Sequence, residues 1–581
     1  MFTNPRNLRR LFWSTVAVLA ALLILPSTGW LLRAQWRSLL NPVPGVQDNL
    51  RNVGMKQLAI EPGPRSDLPA RLNREAARHP NDYEMQVSAA ITVAPDGSPP
   101  TALTRMARLG SLIARYPRRP ELYAHLIRCM TEGPVRVNRD EEYLLIDGHL
   151  PQFHRPGASR PGDVCTFEKA ATIGERLDPN NAYFPMMEAA GLFAVHQDRE
   201  ALDAIRRASE KPFFDDYVPD EAIADLRLAR ATEGRLSALQ MEAAYGQVWL
   251  PHLSALRAAA TVAVYLAMKA EKSGHPADGI AIRHAVMRCG GLIRADSTSF
   301  IGSLVGVAIS RLGATRPGGA PSLRVGDWSS SEKCSIAEER AYLSYLNRLG
   351  ARNEARWAKN ELDNSSRVRN LAESAFVIEP LGGDPMLRLI AWWILDLTVL
   401  PSGLCFLFLA GIAGLRWRRR YGITPLLTAV VFISALAAGA WFRPWTGAFG
   451  NVVHFISLAD PRIGGWLSVP AGMMLAVMSD PFGVRPFCVV AVVGLPILLL
   501  LLVAATALIR RKPLTGSLVC WMRRSGAAVG CILLLSYGAL LIGTLQVERA
   551  TSADLNQRVQ GEGRHFARRG GVTWPAAPPP E

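Results

Sequence analysis

The chain carries none of the short motifs that mark the common enzyme classes by spacing. GxSxG, HExxH, a Walker A loop and a dinucleotide-binding glycine loop are all missing. A nucleophile elbow, a helical zinc pair and a phosphate cradle therefore find no support, although other kinds of enzyme stay open. The 8 cysteines include no CxxC pair and define no framework. Cys129, Cys165, Cys289 and Cys334 fall in the soluble-looking part of the chain. They are compatible either with disulfides in an oxidising compartment or with buried thiols. Cys405, Cys488 and Cys531 sit in apolar runs and Cys520 in a basic loop. Between positions 70 and 375 no stretch alternates β-branched and polar residues for long, so no sheet is expected there. No cofactor is expected on these grounds.

A basic patch of the kind that holds nucleic acid is also lacking. The net charge of +16 suggests one until it is divided along the chain. Residues 1–33 hold 4 Arg and no acid, residues 386–581 hold 18 Lys and Arg against 7 Asp and Glu, and the 34–385 remainder is balanced to +1. The excess lies beside apolar runs, where basic residues orient helices across a bilayer. No nucleic-acid partner is expected.

Long apolar runs are abundant instead. Leu11 to Leu32 follows Arg6, Arg9 and Arg10 and reaches the roughly 20 apolar residues that a span requires. It reads as a single uncleaved N-terminal transmembrane helix in a 1–33 anchor, with Ser27-Thr28-Gly29 the only imitation of a cleavage site. Four further spans are expected at about 389–415, 423–442, 487–509 and 526–545, within a 386–547 block. Arginine and lysine clusters at the N-terminus, at 416–422 and at 510–524 all fall inside when the chain starts inside. That topology puts 34–385, the 443–486 loop and the tail outside. Residues 464–479 are apolar but short and read as re-entrant or interfacial. Trp13, Trp30, Trp36, Trp392, Trp393, Trp441, Trp445 and Trp466 lie near the expected interfaces, where indole rings settle. The Arg- and Ala-rich composition suggests a bacterial plasma membrane, and the lipid bilayer is the first partner.

The remainder is helical in pattern. A Pro-rich linker covers 34–69, a soluble helical domain covers 70–385, and 548–581 reads as a disordered tail. The clearest unit runs from Leu177-Asp178-Pro179-Asn180-Asn181-Ala182-Tyr183 to Pro212. Ala189, Ala190 and Leu192 lie on a first helix, Asp198-Arg199 forms a turn, and Ala201, Leu202, Ile205 and Ala208 face inward from a second. Pro179 and Pro212 stand 33 residues apart. This unit resembles a tetratricopeptide repeat, and the half-units ending at His79-Pro80-Asn81-Asp82 and Ile113 to Pro117 look related. The segment 124–174 departs from the pattern, with an irregular stretch around 148–163. Helices are expected again at 252–272, 278–289, 298–312, 334–349 and 353–374, with turns at Gly274-His275-Pro276 and Gly350 to Asn353. Residues 315–331 have loop composition. The fold expected is all-α: an N-terminal transmembrane helix, an extracytoplasmic tetratricopeptide-like hairpin array, and four C-terminal transmembrane helices.

Few residues invite a chemical reading. Asp147, His149 and His154 offer a possible zinc set, but without helical spacing or a third strong ligand, so no metal site is expected. Asp396 lies inside an apolar run. It reads as an interfacial carboxylate within reach of Arg388 rather than as an ion relay. His454, Asp460 and Arg462, in the 443–486 loop, are the candidate catalytic residues. The function expected is that of a membrane-anchored scaffold binding a protein partner in the envelope, which is what the repeat resemblance implies. Alternatives are a membrane enzyme or transport component acting on envelope lipid or polysaccharide at the 443–486 loop, and a permease subunit.

Overall fold

Proline and glycine punctuate the fold. Pro120, Pro161, Pro251 and Pro276 each stand at the first turn of a helix, where the missing N–H is one that no helical carbonyl could accept anyway. Asp82, Thr101 and Ser299 cap three others, each side chain accepting from the backbone N–H three residues on. Gly274 and Gly350 close helices in the left-handed region, at φ +85° and +77°, which a side chain would resist. The computed structural model describes residues 5–40, 68–94, 100–141, 159–317 apart from 247 and 249, 328–377, scattered positions of 389–407, 527–562, and scattered positions of 564–577.

The elements are α1 (Pro5–Ile24), α2 (Pro26–Leu40), α3 (Leu68–Arg78), α4 (Tyr83–Thr92), α5 (Ala102–Arg115), α6 (Pro120–Glu132), α7 (Pro161–Leu177), α8 (Tyr183–Phe193), α9 (Asp198–Ser209), α10 (Val218–Glu233), α11 (Ala238–Gly246), α12 (Pro251–Lys272), α13 (Pro276–Asp296), α14 (Phe300–Gly313), α15 (Trp328–Arg348), α16 (Arg352–Val377) and α17 (Ala527–Arg558). Among the described residues there is no strand, only an isolated bridge between Asn181 and Phe213. The chain divides into two units. One comprises Met1–Glu61, Ser237–Gln240 and Glu379–Asp554, and the other Pro62–Leu236, Met241–Ile378 and Leu555–Glu581.

The second unit is built of packed helix pairs, α3 with α4, α5 with α6, α8 with α9, and α12 with α13 and on to α14. Its main core is rich in alanine, including Ala189, Ala201, Ala208, Ala259 and Ala263, with Phe167, Phe184 and Phe193 filling the spaces between. Each such phenylalanine contributes about 1.5–3 kcal/mol when buried. Small residues let the backbones close up. A Cβ on Gly306 of α14 would stand 2.3 Å from the Arg294 nitrogen of α13. The helical boundaries read from the sequence at 252–272, 298–312 and 353–374 lie close to those of α12, α14 and α16.

The unit resembling a repeat has the expected pair, α8 and α9, but the turn sits earlier. Asp198 is the first residue of α9, and the reversal occupies 194–197, where His196 takes φ 63°. The ends of this hairpin are clasped together. Ala182 N donates to Phe213 O at 2.9 Å, Asn181 Nδ2 to Asp215 O at 2.8 Å, and the Tyr217 hydroxyl to Asp178 at 2.6 Å.

In the first unit the expected uninterrupted span over 11–32 is corrected. Phe12–Ile24 and Pro26–Gln35 meet at an angle of 86° and pass as a span only as a broken one. Pro26 supplies no N–H and disfavours helical backbone at Leu25. Gly29 completes the bend, because a Cβ there would lie 2.2 Å from the Leu23 carbonyl oxygen. Among the described residues 2 helices are long and apolar enough to cross a membrane, α12 and α17, or 3 with the bent pair. One N-terminal and four C-terminal spans are therefore not what the described residues display. The runs 423–442 and 487–509, and 464–479 between them, lie outside those residues, as does most of 389–415. α12 was expected within the soluble part. Its apolar residues Leu253, Leu256, Val262 and Val264 all belong to the core of the second unit.

α17 begins at the expected span but continues to Arg558, past the boundary expected at 545. No Gly or Pro interrupts 544–558, and its Glu, Arg, Ala, Leu and Gln favour helix. Beyond it, Glu562 N donates to Thr298 O at 2.7 Å, and its carboxylate accepts from Phe300 N at the start of α14 at 3.0 Å. Trp574 Nε1 donates to Ala295 O at 3.1 Å, and the Pro575 carbonyl accepts from Arg294 at 2.8 Å. Asp396 is fully buried and accepts from Gln35 Nε2 of α2 at 2.8 Å. An amide of the N-terminal helix pair is thus one partner of this carboxylate, while Arg388, the approach expected from the sequence, lies outside the described residues.

Candidate functional site

Three helix starts converge in the second unit. α4 begins after its Asp82 cap, α6 at Pro120, and α10 after Tyr217, whose φ of 55° turns the chain sharply. Each carries an acid in its first turn: Glu84, Glu121 and Asp220. That placement is favourable for each helix by itself, since a carboxylate there meets the positive end of the helix dipole. Because the three starts face one another, the acids gather round a single cleft of about 460 Å³. Such a volume lies in the range of small-ligand pockets.

The rim has a mixed but biased charge. Asp82, Glu84, Glu121 and Asp220 oppose Arg119 and Arg227. Arg227 is held by Asp82 and Glu84, each at 2.7 Å. Arg119 lies 3.5 Å from Glu121 and over the Tyr83 ring at 4.8 Å. Asp220 is exposed at the edge, and Ile223, 43% exposed, adds an apolar face. Burial, and after it the adjacent Glu121 carboxylate, push the Tyr83 phenol well up, so it stays protonated.

Beneath the rim lies a buried polar layer. His125 lines the cleft while only 1% exposed. Its Nδ1 meets Arg128, which also donates to Glu221. An arginine can only donate, so Nδ1 accepts and the imidazole carries its hydrogen on Nε2. That nitrogen has no hydrogen-bond partner among the described residues. Burial, then the Arg128 charge, hold His125 well below its ordinary range, so it is neutral at pH 7. Asp225, also buried, is pushed well above the usual carboxylate range by burial and by the Glu221 charge. Further in, Asp216 pairs with His252 at 3.0 Å. Burial works against the Asp216 charge, but the His252 hydrogen bond and the nearby Arg128 charge keep its pKa low.

The layer offers a fixed donor, a buried cation and a rim of net negative charge. The neighbouring Cys129 thiol is buried and pushed up to about 12, which leaves it a thiol rather than a reactive thiolate.

His454, Asp460 and Arg462 lie outside the described residues, as do Asp147, His149 and His154. Among the described residues no three His, Cys, Asp or Glu side chains stand together as a metal site would require. The cleft was not foreseen in the sequence. The available signal was the placement of His125 and Arg128 in an otherwise apolar stretch of α6, a pattern that marks buried polar groups needing partners. Among known proteins, no family model, no curated protein and no solved structure matches this chain.

Proposed function

We propose that the chain is a membrane-anchored scaffold whose helical-hairpin array binds a partner polypeptide. In this reading its apolar helices sit in a bacterial plasma membrane and the array lies on the extracytoplasmic side. The resemblance of 177–212 to a tetratricopeptide repeat supports it, as do the successive packed helix pairs of the second unit. Stacked hairpins of this kind expose extended concave surfaces. The observation that carries the reading is the open cleft where α4, α6 and α10 begin, lined by polar groups held by their neighbours.

The experiment is crosslinking in native membranes followed by affinity purification of the full-length protein and mass spectrometry. A defined set of envelope polypeptides is expected. Recovery of the chain alone, or with lipid or glycan only, overturns the scaffold reading and moves the search to the 443–486 loop.

A further inference from the structure

The chemistry of the cleft narrows what the partner can present. Its rim carries 4 carboxylates and 2 guanidinium groups, and both guanidinium groups already face carboxylates. Asp220 is itself exposed, in a first turn of α10 that is otherwise largely buried, and enters no ion pair among the described residues. An anionic ligand would meet this excess of like charge. A cationic one would be drawn in.

The floor asks for something different. With Nδ1 committed to Arg128, His125 offers Nε2–H as a donor, buried and without a partner among the described residues. A buried donor left unsatisfied costs about 1–3 kcal/mol, so a ligand that brings an acceptor gains there. A simple metal cation has no acceptor to offer, and the donor would repel it. The ligand must combine cations at the rim with an acceptor at the floor, and Ile223 and Tyr83 add apolar surface for aliphatic stems. A polypeptide with basic side chains has all three features, because its backbone carbonyls accept while its lysine stems pack and their ends carry charge.

We infer that the cleft docks a lysine- or arginine-bearing stretch of the partner polypeptide, whose side-chain cations meet Asp220 and Glu121 and whose backbone carbonyl accepts from His125 Nε2. This rests on the scaffold reading above and specifies its partner's chemistry.

The test uses the full-length protein in lipid nanodiscs and two fluorescein-labelled decapeptides, one alternating Ala and Lys, the other alternating Ala and Glu. The Ala-Lys peptide binds, and binds more tightly as salt is lowered. The double variant Asp220→Asn with Glu121→Gln weakens it roughly tenfold while still melting in one cooperative transition, as expected for two lost charge contacts. His125→Phe weakens it as well, with a loss that does not depend on salt. The rim variant decides the matter if His125→Phe fails to fold. Unchanged affinity in a normally folded rim variant overturns the inference, and so does equal binding of the two peptides by wild type and variant alike. Native-membrane purification separates this failure from that of the scaffold reading. If the rim variant recovers the same polypeptides as wild type, the scaffold stands and the basic-segment assignment falls. If no polypeptide is recovered and neither peptide binds, both fall.

Discussion

Arg128 of α6 and Glu221 of α10 are joined in the interior although 93 positions separate them in the chain. Their side chains are only 4% and 9% exposed. The guanidinium also holds His125 in one tautomer, so a single cation both joins two helices and fixes the donor that the cleft presents. Arg128→Met strands Glu221 beside the already strained Asp225. Breaking a buried pair in this way costs about 3–5 kcal/mol, and thermal unfolding of the full-length protein should register it. The pair replacement Arg128→Met with Glu221→Met should cost less than Arg128→Met alone, because it leaves no uncompensated charge.

Asp225 is the reverse case. Its folded-state pKa is raised, by burial first and then by Glu221, so above the ordinary carboxylate range the unfolded chain is the better place for its charge. The group therefore reduces stability at neutral pH. Asp225→Asn should raise stability at pH 7 by roughly 1–3 kcal/mol, the cost of a poorly satisfied buried group. The gain should vanish near pH 3, where both folded and unfolded carboxyls are protonated. Melting curves of the two proteins across pH decide this, and a destabilised variant at pH 7 would refute it.

His125 and His252 both have folded-state pKa values pushed down by burial. Below about pH 6.5, the ordinary histidine value, the unfolded chain binds protons that the folded one refuses. Stability then falls as pH falls, by up to about 1.4 kcal/mol per pH unit for each histidine. It should be level with respect to these groups above pH 7. His125→Gln should flatten the acid-side slope by about half. An unchanged slope would show that His125 titrates freely in the folded protein.

The crossing of α13 and α14 depends on backbone proximity. A methyl group at Gly306 would sit 2.3 Å from the Arg294 nitrogen and 2.7 Å from the Gly290 carbonyl oxygen. Gly306→Ala must push the helices apart, and overpacking of this kind costs about 1–3 kcal/mol. Gly110, which has nothing within 4 Å of an added Cβ, serves as the control. Gly110→Ala should be neutral or stabilising, since alanine favours helix.

What could be read beforehand was local. Helical periodicity and the turn residues Gly274 and Gly350 placed α12, α14 and α16 within a few positions, because these signals lie within one turn of the feature they mark, whereas α13 runs on to Asp296, past the 289 expected, and α15 begins at Trp328, inside the stretch 315–331 expected as loop. The bend at Pro26 was hidden for the opposite reason. An average of hydropathy over Leu11 to Leu32 sees apolar side chains and is blind to the backbone N–H that proline lacks. The cleft was hidden by distance. Glu84, Glu121 and Asp220 each look like an ordinary acid opening its own helix, and only tertiary packing turns three separate helix starts into one rim. The Gln35 contact of Asp396 was hidden similarly, since the two stand 361 positions apart and no spacing rule reaches that far.

The return of Glu562, Trp574 and Pro575 to α13 and α14 carries a consequence for biosynthesis. Residues Leu555–Glu581 belong to the same unit as Pro62–Leu236 and Met241–Ile378. A ribosome that has finished α16 must still make nearly two hundred residues before Trp574 emerges. At roughly 5–20 residues per second that is an interval on the order of 10–40 s. Throughout it the start of α14 lacks its Glu562 contacts and Ala295 lacks its indole. Until residues 562–575 are made the domain lacks these contacts, and a fragment expressed without them would carry that unfinished edge permanently.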